Sequence, residues 1–338
     1  MALEQPSRSA RIAGIGMYAP ERVLTNHDLE AMVETSDDWI VSRTGIRERR
    51  VAGPGEATSD LALPAAREAL RVAGVDPADL DLIILATCTG DMNAFPATAA
   101  IVQAELGARR AAAFDIAAVC SGFAYALDVG AQFIETGRAK NVLVIGAETM
   151  SKVLDWTDRN TCVLFGDGAG AVVLQPGAAG EGILGSVLGS DGTGACLLNI
   201  PGGGSRQPLT ADALAAGAGF IKMKGREVYR FAVEIMGEAA VQVLDRVGLK
   251  PEDVDLFIPH QANVRIIDAA AQRLRLPREK VFVNVDRYGN TSSASIPMAL
   301  CEAWKQGRVQ PGNVVVTVGF GAGLTWGANV IKWGDLTP

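Results

Sequence analysis

Apolar positions along this chain alternate between two kinds of run. Short, mostly apolar runs, Leu82–Thr87, Asn141–Ile145, Val254–Ile258 and Asn313–Val318, read as strands. Leu61–Ala73 and Val228–Val247 carry apolar residues at helical spacing and read as helices. Gly and Pro punctuate the junctions. Strands alternating with helices predict an α/β protein of layered sheets with helices packed against them.

The pattern also repeats. Gly74-Val75-Asp76-Pro77-Ala78-Asp79-Leu80-Asp81-Leu82-Ile83-Ile84 matches Gly248-Leu249-Lys250-Pro251-Glu252-Asp253-Val254-Asp255-Leu256-Phe257-Ile258 at an offset of 174. Gly137-Arg138 and Gly307-Arg308, each before a strand, match at an offset of 170. Gly166-Asp167-Gly168-Ala169-Gly170 and Gly319-Phe320-Gly321-Ala322-Gly323 each touch an apolar strand. The expectation is one α/β unit in two copies, residues 1–175 and 176–338, with the similarity starting near residue 11. Duplication by itself implies no chemistry.

A chain of 338 residues with 49% hydrophobic and 20% charged residues holds ample core and is not disordered. Its net charge of −7 argues against a general nucleic-acid binder. No apolar run reaches about 18 residues, so no membrane span is expected. The start, Met1 to Ala10, lacks the apolar core of a signal peptide. The cysteines are Cys88, Cys120, Cys162, Cys196 and Cys301, an odd set without close pairs. That suits neither a disulfide framework nor a zinc knuckle, and the expectation is a cytoplasmic protein with reduced thiols.

Histidine is scarce, so imidazole chemistry has two candidates. His27 lies in a polar turn into a helix. His260 follows the strand Val254–Ile258, and strand ends are where sites are commonly built. Cys120 lies where an apolar strand meets a helical run marked by Ala124, Leu127, Ala131 and Ile134. A helix start offers unpaired N–H groups and a positive dipole end, which favour a thiolate nucleophile. Its bland reading is a small buried hydrophobe. Cys88, at the end of Leu82–Thr87, is the one serious rival. Asn290 reads alone as a turn or cap residue. The offset of 170 pairs Cys120 with Asn290, and the offset of 174 pairs His260 with Ala86. Together, Cys, His and Asn supply one nucleophile and two donors suited to an enolate oxygen.

Five stretches resemble the β-ketoacyl-acyl-carrier-protein synthase III family of the thiolase superfamily. They are the surroundings of Cys120, Thr35-Ser36-Asp37-Asp38-Trp39-Ile40-Val41-Ser42-Arg43-Thr44-Gly45-Ile46-Arg47, His260-Gln261-Ala262-Asn263-Val264-Arg265, Tyr288-Gly289-Asn290-Thr291-Ser292, and Gly321-Ala322-Gly323-Leu324-Thr325-Trp326-Gly327. Ala322 stands where some members carry a third Gly. The resemblance implies a duplicated thiolase-like fold layered α-β-α-β-α, and a homodimer. It implies that Cys120 takes an acyl group from acyl-CoA, while His260 and Asn290 hold a malonyl thioester as it loses carbon dioxide. It implies an oxyanion hole from the N–H groups of Cys120 and Ala322, with Phe320 shielding the site. Acyl-CoA enters as a substrate, with no cofactor. The implied CoA-binding residues are Thr35, Trp39, Arg43, Arg159 and Asn263. Gln261, Ala262, Asn263, Val264 and Arg265 are the implied contacts for an acidic acyl carrier protein, which Arg273, Arg275, Arg278 and Lys280 would also suit. Phe95 matches the position that reaches across the dimer and limits chain length.

Other readings fit less well. Gly14-Ile15-Gly16 mimics a dinucleotide fingerprint, yet Pro20 interrupts the helix that should follow. Gly-x-Ser-x-Gly is absent, and so is the local Cys motif of papain-like proteases. Elongating synthases need a second histidine, and thiolases need a second cysteine in the C-terminal Gly-rich loop; residues 319–327 hold none. The nearest rival is a Cys-His-Asn synthase of polyketide type that takes malonyl-CoA directly. A scaffold that only binds carrier protein has no need of a thiol, an imidazole and an amide at these three positions.

Overall fold

The computed structural model describes residues 9–338. Nine strands form two main sheets. They are β1 (Ser9–Tyr18), β2 (Leu82–Ala86), β3 (Ala112–Ile116), β4 (Val142–Glu148), β5 (Gly168–Gly177), β6 (Gly182–Ser190), β7 (Leu256–Pro259), β8 (Val314–Gly321) and β9 (Thr325–Lys332). The helices that position the site are α1 (Asp37–Thr44), α2 (Thr58–Ala73), α3 (Thr98–Leu106), α4 (Gly122–Glu135), α5 (Gly225–Val247), α6 (Val264–Arg273) and α7 (Ser295–Lys305).

The first sheet has the order β1-β5-β4-β2-β3 and the second β6-β9-β8-β7. The two orders superimpose, strand for strand. In each, the first two pairings are antiparallel and the next is parallel. The fifth strand of the first sheet has only a bridge as its counterpart, Phe257 to Val281. β5 runs to Gly177 and β6 begins at Gly182, so the first sheet continues two residues past the break expected after 175.

Helices α4 and α7 lie between the sheets and contact both. Helix α2 covers the outer face of the first sheet, and α5 that of the second. The result is an α-β-α-β-α sandwich. Its middle layer packs Phe123, Leu127, Ile134, Ile296, Leu300 and Trp304 against strand residues such as Val144, Leu174, Leu256 and Val315. Each such side chain contributes roughly 1.5–3 kcal/mol on burial. Gly14 and Gly16 belong to β1, not to a nucleotide loop. A Cβ on either would lie 2.2 Å from the Ala69 carbonyl or 2.3 Å from that of Ala65 in α2. They are glycine because the helix backbone rests on the strand there. No described helix is long and apolar enough to cross a membrane.

Candidate active site

The middle layer brings the two copies together at their helix starts. Each central helix begins with a 3₁₀ turn, Val119–Ser121 before α4 and Ser292–Ala294 before α7. The first residue of each turn has positive φ, 48° at Val119 and 49° at Ser292. Such backbone at non-glycine residues stores about 1–3 kcal/mol and clusters at functional sites. This geometry corrects the sequence pairing: the copies align here at an offset of 173, so the counterpart of Cys120 is Ser293, not Asn290. The offset of 170 returns at the helix ends because α7 is three residues shorter than α4, 11 against 14.

Cys120 is buried in its turn at the base of α4. Burial, followed by the nearby Glu148, pushes its thiol up to about 12, and the Ser292 hydroxyl acts in the opposite direction. The helix-start argument for a ready thiolate is therefore outweighed by desolvation. The turn is tied to the end of β8 and the loop after it. Ser121 Oγ lies 2.9 Å from Thr325 Oγ1, which is 3.0 Å from the Ala118 carbonyl. Gly321 lies against the backbone nitrogen of Cys120, where a Cβ would come within 2.6 Å. Ala322 therefore follows directly beside the Cys120 turn.

His260 follows β7 and is completely buried. Its N–H donates to the Val318 carbonyl at 2.7 Å, and its Nδ1 meets Ser295 Oγ at 2.5 Å. Burial pulls its pKa down to about 3, so the ring is neutral. The tautomer in which the Ser295 hydroxyl donates to Nδ1 is the one that gives this hydroxyl an acceptor among the described residues. That tautomer carries the ring proton on Nε2, a buried atom without a partner among the described residues. Phe320 meets the ring edge-on, with centroids 5.7 Å apart.

Asn290 is held by its backbone, its N–H donating to Leu164 and its carbonyl accepting from Gly166. Its Oδ1 accepts the Ser292 N–H at 2.8 Å, which leaves Nδ2 to donate elsewhere. Four polar residues in a row, Asn290 to Ser293, are followed by Ala294 and Ser295 in this segment. Sequence reading missed Ser292, Ser295 and Glu148. The polar run and an acid ending the apolar strand β4 were the available signals.

Cys120 and Ala322 line a largely apolar pocket of about 430 Å³, with Cys88, Met150, Phe165 and Ile221 among its walls. Cys88, the rival nucleophile, shares this pocket. The residue as a whole is exposed, yet its thiol is shut in 3.3 Å from Glu148, and this desolvation together with that carboxylate raises its pKa above the ordinary value.

A second cleft of about 520 Å³ is lined by Trp39, Arg43, Tyr229, Asn263 and Arg265. Helix α1 presents Trp39 and Arg43 one turn apart, after Ser36 caps it by accepting the Trp39 N–H. The guanidinium groups of Arg43 and Arg159 both lie over the Trp39 ring, 4.6 and 5.0 Å from its centroid. The Thr35 hydroxyl is buried without a partner among the described residues. Asn263 caps α6 through Oδ1 and donates from Nδ2 to the Arg43 carbonyl, so both ends of its amide are engaged. Gln261 and Ala262 are buried, and the Gln261 amide is spent on Pro259, Phe282 and Asn284. Of the expected carrier contacts only Arg265 is well exposed, with Val264 half-buried. Phe95 is 85% exposed and lies outside the walls of its own chain's pocket.

Family models for 3-oxoacyl-[acyl-carrier-protein] synthase III match residues 114–192, and for its C-terminal part residues 244–333. A β-ketoacyl-[acyl-carrier-protein] synthase III from Symbiobacterium thermophilum is 60% identical over 327 residues, 97% of this chain and 99% of the relative. The chain belongs to the β-ketoacyl-[acyl-carrier-protein] synthase III family. The corresponding protein of Caldanaerobacter subterraneus is 58% identical, covering 96% of this chain and 98% of its own length. The crystal structure of the family member from Aquifex aeolicus superposes with a TM-score of 0.89 at 52% identity, covering 96% of this chain and all of that one. The thiolase-like fold expected from the sequence is the fold of the family.

Proposed function

We propose that this protein joins an acyl-CoA primer to malonyl-acyl carrier protein by decarboxylative Claisen condensation, the initiating step of fatty-acid synthesis. Cys120 attacks the acyl thioester, CoA leaves as its thiol, and the acyl group stays on sulfur. The N–H groups of Cys120 and Ala322 hold the oxyanion of that step and of the later one. His260 Nε2 and Asn290 Nδ2 then hold the malonyl thioester carbonyl. Loss of carbon dioxide gives an enolate that attacks the acyl-cysteine, releasing 3-oxoacyl-carrier and the Cys120 thiolate, which takes a proton from solvent to restore the thiol. Phe320 keeps water from the enolate.

The observation that carries this reading is the polarity of the two non-nucleophilic groups. A neutral imidazole with a free Nε2–H and an amide with its oxygen already engaged are both donors, as a developing enolate requires. A base that activates water needs the opposite polarity. Trp39 and Arg159 bracket the adenine of CoA, with Thr35 and Arg43 beside them. Arg159 has to withdraw from the ring to admit the base. Arg265 and Val264 meet the acidic carrier protein at the same rim, and two chains pair so that Phe95 of each caps the other's acyl pocket. No bound cofactor takes part, and the chain works in the cytoplasm. The two halves divide within residues 178–181.

The test is turnover with acetyl-CoA against malonyl carried on acyl carrier protein or on CoA. The carrier-bound form should be strongly preferred. Equal rates with both would favour the polyketide-type reading, which remains structurally close. A priming β-ketosynthase of the R1128 polyketide pathway is 38% identical with a TM-score of 0.90, covering 99% of this chain and all of its own.

A further inference from the structure

One buried charge has no task in the chemistry above. Arg49 lies in the two-stranded ribbon of Val23–Thr25 and Glu48–Arg50, and it is among the largest side chains that the fold buries completely. Burial pulls its pKa down to about 10, which leaves it cationic at neutral pH. Its acceptors are all neutral. Nη1 donates to the Leu24 carbonyl at 3.2 Å and to Asn26 Oδ1 at 2.8 Å, and Nη2 donates to the Val163 carbonyl at 2.7 Å. A well-packed apolar side chain would fill the same space without desolvating a charge. The guanidinium is therefore explained by what it holds.

It holds a different element on each side. On one side, Asn26 turns its oxygen to the guanidinium, which has only donors, and its Nδ2 donates to Asp37 Oδ1 and to the Ile46 carbonyl, both at 2.8 Å. Asp37 opens α1, the helix that presents Trp39 and Arg43. On the other side, Val163 follows the short helix Arg159–Cys162 and begins a segment that reaches three places. Val163 and Leu164 line the Trp39 cleft, and Phe165 lines the Cys120 pocket. The Leu164 carbonyl accepts the Asn290 N–H at 2.8 Å, and the Gly166 N–H donates to the Asn290 carbonyl at 3.0 Å. The stem of Arg49 packs on both strands of this clamp. A Cβ on Gly166 or Gly289 would lie 3.0 or 3.2 Å from Arg49 Cβ.

Resting on the assignment of Asn290 as an enolate donor, we propose that Arg49 is a positioning residue that sets Asn290 by pinning residues 163–166 to helix α1. The backbone of Asn290 is held by that segment, and Nη2 of Arg49 ties the segment to Asn26 and so to α1. A misplacement of about 1 Å costs a catalytic group up to about a hundredfold, so a donor held through its backbone needs an anchor that does not yield. The planar fork bonds both sides at once, whereas Lys offers a single nitrogen.

The experiment is a double-mutant cycle on carbon dioxide release from malonyl-acyl carrier protein, using wild type, Arg49→Lys, Asn290→Ala and the pair, each with native circular dichroism. Arg49→Met, which removes the charge and keeps an unbranched stem, carries the same cycle where the Lys protein does not fold. Either substitution should slow release about tenfold, the worth of one hydrogen bond to a charged group. On the Asn290→Ala background each should change the rate less than about twofold, because the donor it misplaces is gone. A merely structural role predicts equal losses in both backgrounds. Losses of the same size with and without the Asn290 side chain overturn the proposal, as does a wild-type rate in the Arg49 variants. If Asn290→Ala alone releases carbon dioxide at the wild-type rate, the donor assignment itself fails and the proposal falls with it, a result distinct from additive losses.

Discussion

Imidazole in water ionises near pH 6.5, inside the working range of most enzymes, and His260 does not. Its burial places the transition at about 3. Two expectations follow at this single residue. Malonyl decarboxylation by the intact enzyme should show no loss attributable to His260 between pH 8 and pH 5, because the ring stays a neutral donor throughout; a His-dependent fall near pH 6.5, absent from His260→Gln, would contradict the tautomer argued here. The second concerns stability. The unfolded chain takes up a proton below pH 6.5 and the folded site does not, so stability from this group is full above that value and is lost as pH falls towards 3. At pH 5 the loss is about 2 kcal/mol as an upper bound. Urea unfolding at pH 7 and pH 5 should show it in the wild type and not in His260→Gln. Asn290 allows a cleaner separation of steps. Asn290→Asp exchanges the donor for an acceptor of the same shape, so intact-mass analysis should still find acetyl on Cys120 while carbon dioxide release from malonyl carrier falls at least about a hundredfold. Acetyl mass on a Cys120→Ala protein would overturn the nucleophile itself.

At the scale of elements, the site depends on how closely β4 approaches the turn before α7. Gly146 of β4 faces Ser293, and a Cβ there would lie 2.3 Å from its carbonyl oxygen. Gly146→Ala forces that turn away by more than a side-chain adjustment, since the obstacle is backbone. The expected cost is about 1–3 kcal/mol, read by thermal or urea unfolding. Activity should fall in parallel, because the displaced turn carries Ser292 and is joined through it to Asn290. A fully active, fully stable Gly146→Ala protein would mean that the two layers are looser than this packing implies.

Across the whole molecule, charge is distributed against the average. The chain carries −7 overall, yet the cleft rim gathers Arg43, Arg226 and Arg265. An acidic partner would be steered towards that mouth. Arg265→Glu should lower kcat/KM for malonyl carrier about tenfold at low salt and less at high salt, leaving acetyl transfer to Cys120 nearly unchanged. Trp39→Ala should raise KM for acetyl-CoA about tenfold with a smaller effect on kcat. If KM is unchanged, CoA does not use this ring.

Much of this was legible in the chain itself, and for definable reasons. The strand and helix periods, the Gly-Pro punctuation and the internal match follow from local backbone chemistry and one-sided burial, which any copy of the unit must repeat. Cys120 and His260 stood out because a reactive residue type at a strand end or helix start needs no distant partner to be noticed. The pairing of Cys120 with Asn290 failed because the three residues missing from α7 move the register only where the helix begins, and sequence offsets measured at helix ends cannot detect that. The protonation states were likewise decided by tertiary structure. A helix start favours a thiolate in isolation, but the two sheets closing over it remove water and reverse the preference. The roles expected of Gln261 and Ala262 gave way for the same reason: a motif records which residues recur together, whereas burial decides which of them a partner can touch. Ser292, Ser295 and Glu148 look like unremarkable polar residues along the chain, and they acquire meaning only when the two copies set them against one thiol and one imidazole.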